Sequence, residues 1–324
     1  AVTATAIARQ LGIDGDVISG TDFGAMSDRE AAAAIAKAGV IARVTPAHKV
    51  RLVGLLKGSG RTVAMTGDGV NDAPALRHAD IGIAMGTGTE VAKRAAVMVL
   101  TNDDFGVIIK AVELGRGLYD NLVRYIRFEM GCMFGFIITF FGASLFDIAH
   151  GEPLTPFQVL WVAFTTVTIQ SIGLGYGRPA EGLMEDPPRS PGAPILHRGA
   201  LGWLGVVGLV MAVATLSLVS WAQQAHTLQE ARTMGLVLFS LLNLFLSIES
   251  RSARETAFSL YTFADRTFIV TTGVSFVLII LATLLGPCQA VLDTTPLDER
   301  QWLLCLGVAL SIVAVSEAKK ALHR

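Results

Sequence analysis

Thr66-Gly67-Asp68-Gly69-Val70-Asn71-Asp72-Ala73-Pro74-Ala75-Leu76 is the stretch on which the reading of this chain turns. It follows the apolar run Arg61 to Met65, which reads as a strand, and it leads into a short helix over Ala73 to Ala79. Asp68 and Asp72 stand four apart with Asn71 between them, just past the strand end. Two carboxylates and an amide converging there suit Mg²⁺, which favours carboxylates, water and phosphate oxygens. Gly67 and Gly69 let the backbone turn and approach a ligand closely. A lone Gly-Asp-Gly would read more simply as an Asx-turn, with Asp68 as a helix cap. Eleven residues of this character go beyond that.

Outward from this run, helix-like and strand-like segments alternate. Ala4 to Leu11 reads as a helix ended by Gly12, and Asp28 to Ala38 as a helix with Asp28 as N-cap and Gly39 as stop. Val40 to Val44 is a short apolar strand, broken at Thr45-Pro46, and Ala47 to Leu56 returns to helix. Downstream come a strand over Ile81 to Met85, a helix over Val91 to Arg94 and a strand over Ala96 to Leu100. Such alternation predicts a parallel sheet with ligands outside the carboxyl ends of its strands. Lys49, just after the strand at Val40, is placed to offer a positive charge to a phosphoryl oxygen; the plainer reading puts it on a solvated face.

Past Arg127 the character changes. Of the 26 Lys and Arg residues, 15 lie in residues 1–127, leaving 11 for the other 197 positions. The overall 16% charged and 52% hydrophobic composition therefore averages two unlike parts. Uncharged apolar runs recur at 130–146, 157–176, 199–222, 233–248, 267–286 and 301–316. A helix needs about 20 residues to cross a bilayer core, so six spans are expected, at about 130–147, 157–176, 199–222, 232–250, 267–286 and 301–318. With the first part inside, the inner loops and tail carry Arg178, Arg189, Arg198, Arg251, Arg254, Arg266, Lys319, Lys320 and Arg324. The outer loops carry Arg232 and Arg300. That bias predicts a multi-pass protein with both termini cytoplasmic. No secretory leader precedes residue 130. Cys132, Cys288 and Cys305 are too scattered for a disulfide framework or a cysteine metal site. A net charge of −1 leaves no nucleic-acid footprint.

The run Thr66–Leu76 closely resembles the hinge signature of P-type cation-transporting ATPases, whose phosphorylation domain has the α/β haloacid-dehalogenase fold. Ala42-Arg43-Val44-Thr45-Pro46-Ala47-His48-Lys49 resembles the family's ARV-P-HK segment, and Ile81-Gly82-Ile83-Ala84-Met85-Gly86 its IGIAMG strand. Asp186-Pro187-Pro188-Arg189 resembles the PPR loop of the calcium- and sodium-pump branch. The resemblance implies a partial phosphorylation domain over 1–115, a stalk over 116–129 and an all-α bundle of six membrane helices over 130–324. It makes Asp68 the Mg²⁺ ligand, Asn71 and Asp72 organisers of the phosphoryl site, and Lys49 the phosphate-contacting lysine, with Thr66, Gly67 and Gly69 in the ligand-binding turn. ATP would be held mainly by domains outside this chain. Membrane lipid, the transported cation and an N-terminal pump portion are the implied partners, in a cell membrane taken as a bacterial inner membrane.

The family's nucleophile lies in a DKTGT motif, which does not occur here. Asp14-Gly15-Asp16 imitates the opening of a haloacid-dehalogenase phosphatase motif, but it follows a helix end rather than an apolar strand. The chain alone is therefore expected to be inactive. The family's ion ligands also fall on unsuitable residues: Met133 and Phe136 in the first span, and Ala163 and Val167 in the second. The polar groups left for an ion path are Thr165, Thr166, Thr168, Gln170, Asn243, Ser247 and Glu249. Thr165 and Thr168, three apart, are expected to share one helix face. Glu249, beside Arg251, reads equally as a ligand or as a solvated interfacial ion pair. Two other readings stand beside the pump: a non-catalytic membrane remnant or assembly partner, and a membrane-anchored phosphatase.

Overall fold

Residues 2–190, 192–251 and 264–322 are described by a computed structural model, which divides into Ala1–Val112 and Glu113–Arg324. Arg254 and Arg324, which entered the charge comparison, lie outside the described residues.

In the first unit the order is α1 Val2–Gln10, β1 Asp16–Ser19, α2 Gly20–Ala25, α3 Asp28–Ile35, β2 Ala38–Ala42, α4 Pro46–Gly58, β3 Ala64–Gly67, α5 Ala73–His78, β4 Ile81–Met85, α6 Glu90–Ala95 and β5 Met98–Leu100. All pairings are parallel, but the strands form two sheets, β1-β2 and β3-β4-β5, instead of one. β1 is an addition to the expected elements. Its four residues, Asp-Val-Ile-Ser, carry too short an apolar run to be read, and only pairing with β2 defines them. That pairing brings Gly15, at φ 130°, against the backbone of Gly39, where a Cβ on either would collide. Gly39 is thus a strand glycine rather than a helix stop. Asp28 is not the N-cap either: Ser27 caps α3 in a capping box with Glu30. α4 starts with Thr45 as N-cap, Pro46 in its first turn and His48 closing the box.

Small cores hold this unit: Ile18, Phe23 and Ala31 around the first sheet, and Leu76, Ala84 and Ala92 around the second. Arg51 ties α4 to the preceding helices, donating to Asp28 and to the carbonyls of Phe23 and Met26 while lying over the Phe23 ring.

The remainder is a helical bundle. Six helices are long and apolar enough to cross a membrane: Gly106–Leu145, Pro156–Gly175, Arg198–Ala225, Leu228–Ser250, Arg266–Leu284 and Glu299–Leu322. They are called spans one to six here, and they make this a multi-pass membrane protein. Span one is a single 40-residue helix, about 60 Å long at 1.5 Å per residue, so its charged first half extends well beyond a 30 Å core. Span four sits innermost, with Met234, Val237, Phe239 and Leu242 fully buried. Span two contains a π-helical segment, Ala163–Thr168.

Candidate functional site

In the first unit the informative residues gather at the carboxyl end of β3. Lys49 reaches there from the first turn of α4 and donates to Asp72 Oδ1 at 2.5 Å. The second oxygen, Asp72 Oδ2, accepts the Gly69 amide at 3.2 Å. Asp72 is buried. Burial works to raise its pKa, but the Lys49 bond and the Gly69 amide outweigh that and hold the carboxyl below its usual range. Gly67 is required by this packing: a Cβ there would lie 2.5 Å from the Cβ of Asp72.

Asp68 has the opposite surroundings. Its side chain is exposed and, among the described residues, makes no hydrogen bond or ion pair. Its backbone is pinned, because Thr89 N donates to Asp68 O at 2.8 Å and a Cβ on Gly88 would meet that same carbonyl at 3.0 Å. Asn71 is also exposed, in a 3₁₀ turn over Val70–Asp72, and Thr66, next to last in its strand, is half-buried. Of the two carboxylates, then, Asp72 is engaged by Lys49 and the Gly69 amide, and Asp68 is the one left open. Asp72 is spent on Lys49, and among the described residues no three His, Cys, Asp or Glu gather as a metal cluster.

Reading by sequence missed the loop after β4. In the segment Gly86–Thr89, Gly88 and Thr89 lie against the Asp68 backbone, and Asp103 anchors the segment by accepting from Gly86 N at 2.6 Å and Thr87 Oγ1 at 2.6 Å. The signal available was the alternation Gly-Thr-Gly-Thr directly after an apolar strand. Asp14-Gly15-Asp16 lies at the amino end of β1, the end of a parallel strand where ligands are not bound.

In the bundle, the polar residues divide into three groups. Gln170 is fully buried and joins spans two, four and five: its Nε2 donates to Ser275 Oγ at 3.1 Å, and its Oε1 accepts from Ser247 Oγ at 2.8 Å and Thr272 Oγ1 at 3.2 Å. Ser275 Oγ in turn donates to the Thr165 carbonyl. Thr165 and Thr168 do not share a face, since Thr165 is buried and Thr168 exposed. The π segment is the reason: an i→i+5 turn advances less per residue, so positions three apart no longer align. Both hydroxyls donate to backbone carbonyls, of Trp161 and Ala163. The Thr166 hydroxyl and Asn243 Oδ1 are buried without a hydrogen-bond partner among the described residues. Of the substituted positions, Met133 is exposed, Phe136 packs on Phe239, and Val167 is buried.

Glu249 forms the third group. It does not pair with Arg251 at a solvated interface. Lys320 of span six donates to Glu249 Oε2 at 2.6 Å, with both side chains buried, while Arg251 meets Asp265 at 2.7 Å. Asp265 also accepts the Arg178 and Phe268 amides, joining the segment after span two to the start of span five.

A family model described as "Cation transporting ATPase, C-terminus" matches residues 151–322, and models described as "haloacid dehalogenase-like hydrolase" match 1–80 and 50–112. The chain belongs to the cation-transporting ATPase family, as a C-terminal portion with a partial haloacid-dehalogenase-like domain. It is 38% identical over 335 residues to "Probable cation-transporting ATPase F" of Mycobacterium tuberculosis (strain ATCC 25618 / H37Rv), covering 99% of this chain and 36% of that protein. It is 36% identical over 339 residues to "Calcium-transporting ATPase 1" of Bacillus cereus (strain ATCC 10987 / NRS 248), covering 98% of this chain and 38% of that protein. The chain thus spans little more than a third of the length of these curated relatives.

Proposed function

We propose that this chain supplies the Mg²⁺ and phosphate half-site and the last six membrane helices of an ATP-driven cation pump, working with an N-terminal portion that carries the phosphorylated aspartate. The observation that carries this reading is the end of β3, where an exposed, unengaged Asp68 stands beside the Lys49–Asp72 pair. Mg²⁺ keeps several waters and needs only one or two protein carboxylates, so a single pinned carboxylate fits it better than a closed cluster would. Asp68 would hold the metal, which neutralises charge on a phosphoryl oxygen. Lys49, held 2.5 Å from Asp72, would turn toward the phosphate. Asn71 and the Thr66, Gly67 and Gly69 backbone would line the pocket.

In the membrane, the cation path is assigned to the buried polar groups around the π segment: Thr166, Gln170 and Asn243, with Thr165 presenting its carbonyl. Glu249 is removed from that set because Lys320 neutralises it. The protein would sit in a bacterial inner membrane, termini inside. With no DKTGT motif in this sequence, the chain by itself would be inactive.

The test is co-expression with the N-terminal portion of a relative, followed by trapping of a Mg²⁺-dependent phosphoenzyme. Its appearance, and its loss in Asp68→Ala, would support the reading. Absence of any phosphoenzyme in a reassembled, folded complex would leave the non-catalytic remnant as the better account.

A further inference from the structure

The membrane unit holds a cavity of about 390 Å³ that the pump reading leaves unused. It opens between spans one, three, four and six, at the end where span one passes into its charged half. Arg127, His197, Trp203, Glu249, Lys319 and Lys320 are among the residues that line it. Its charges do not balance. Lys320 is engaged by Glu249 at 2.6 Å and Glu317 at 3.2 Å. Arg127 and Lys319 have no carboxylate within ion-pair distance among the described residues, and Lys319 instead lies over the Trp203 ring, 4.1 Å from its centre. The first turn of span three, whose N-cap is His197, lines the same cavity. His197 accepts the Ala200 amide at 3.1 Å, and the amino end of this 28-residue helix adds positive potential.

Two unpaired cations and a helix N-terminus around one cavity call for an anion with several acceptor oxygens, which a phosphate supplies. The setting identifies its source. The cavity lies between membrane-spanning helices at one end of their apolar stretches, and its Trp–Lys stack is the residue combination that anchors proteins at headgroup depth. We propose that this cavity binds the phosphate headgroup of an anionic membrane lipid, with Arg127 and Lys319 as its cationic contacts. A bound headgroup would join spans one, three and six through a charge that the protein itself does not provide.

The experiment uses the full chain purified in a neutral detergent, with lipid binding read by native mass spectrometry. Phosphatidylglycerol should be retained in a one-to-one complex under conditions that strip phosphatidylcholine of the same acyl chains. Arg127→Gln and Lys319→Gln should each weaken phosphatidylglycerol about fivefold, and the double variant about 25-fold, whereas Lys319→Arg should stay within about twofold of wild type. A second measurement needs no substitution. Acetylation of Lys319 in the unaltered protein, mapped by peptide mass, should slow with phosphatidylglycerol and not with phosphatidylcholine. Equal retention of the two lipids, or unchanged acetylation, overturns the proposal. So does equal protection by inorganic phosphate alone, which would make the site one for a free anion.

Discussion

Two lysine–carboxylate bonds of nearly equal length stand in the two units of this molecule, and they are built for different ends. Lys49 and Asp72 meet at 2.5 Å, with the lysine side chain 32% exposed, and the other carboxylate oxygen is satisfied by the Gly69 amide. Lys320 and Glu249 meet at 2.6 Å with side chains 8% and 3% exposed, and Glu249 Oε1 has no hydrogen-bond partner among the described residues. The first pair is reachable from water, so its lysine can exchange one oxyanion for another at modest cost. The second is buried in the wall of the cavity between the helices, and separating its charges would leave a buried carboxylate without its lysine. A reachable pair suits a site that turns over; an enclosed pair suits a joint between helices.

The sharpest way to break this contrast is to remove one partner of the enclosed pair. Lys320→Ala should destabilise the bundle by about 3–5 kcal/mol, whereas replacing both partners, Lys320→Met with Glu249→Leu, should be close to neutral or stabilising. Thermal unfolding in detergent measures both. A small loss for the single variant would mean that water reaches Glu249 and the two pairs are alike. Next in size is Asp68→Ala, which should lower phosphoenzyme in the reassembled pump at least about a hundredfold without moving the unfolding midpoint, because the side chain makes no described contact. A shifted midpoint would reassign Asp68 to structure.

Gly67→Ala probes the support beneath the reachable pair. With a Cβ 2.5 Å from that of Asp72, it should cost about 1–3 kcal/mol through forced displacement. Amide exchange should rise over residues 64–72, while the bundle stays unchanged.

The smallest effect is acid sensitivity in the first unit. Asp72 is held low because the Lys49 bond and the Gly69 amide overcome its burial; Asp80 by the Val63 amide and then Lys57; Asp103 by the Thr87 hydroxyl. A carboxyl whose pKa is depressed on folding adds stability above its unfolded pKa of about 4, and that stability is lost as pH falls through the folded value. Amide exchange between pH 6 and pH 3 should therefore accelerate in residues 64–103, by about fivefold or less for each carboxylate. Asp72→Asn should remove its share. A flat profile would show that these carboxylates are not held by their partners.

Much of this was legible in one dimension. The period change at Arg127, from alternating short segments to uncharged runs, reports a physical constraint that acts locally: a helix in lipid must be apolar along its own length. Likewise Thr66–Leu76 announces a tight turn at a strand end, since its glycines and acidic residues are neighbours in the chain. What stayed hidden depends on partners distant in sequence. β1 exists because β2 pairs with it, and two sheets appear where strand count alone suggested one. Thr165 and Thr168 part company because the π turn rotates them, and no residue-level preference marks that turn in the sequence.

By itself, then, the sequence determined the family, the six apolar helices and the residues at the end of β3, because each is encoded by neighbours a few positions apart. Only the tertiary structure decided which carboxylates are engaged. Lys49 lies 23 positions from Asp72, and Lys320 lies 71 from Glu249. Whether a carboxylate is left open, like Asp68, or neutralised is set by which distant cation the fold delivers to it, and at what depth from water.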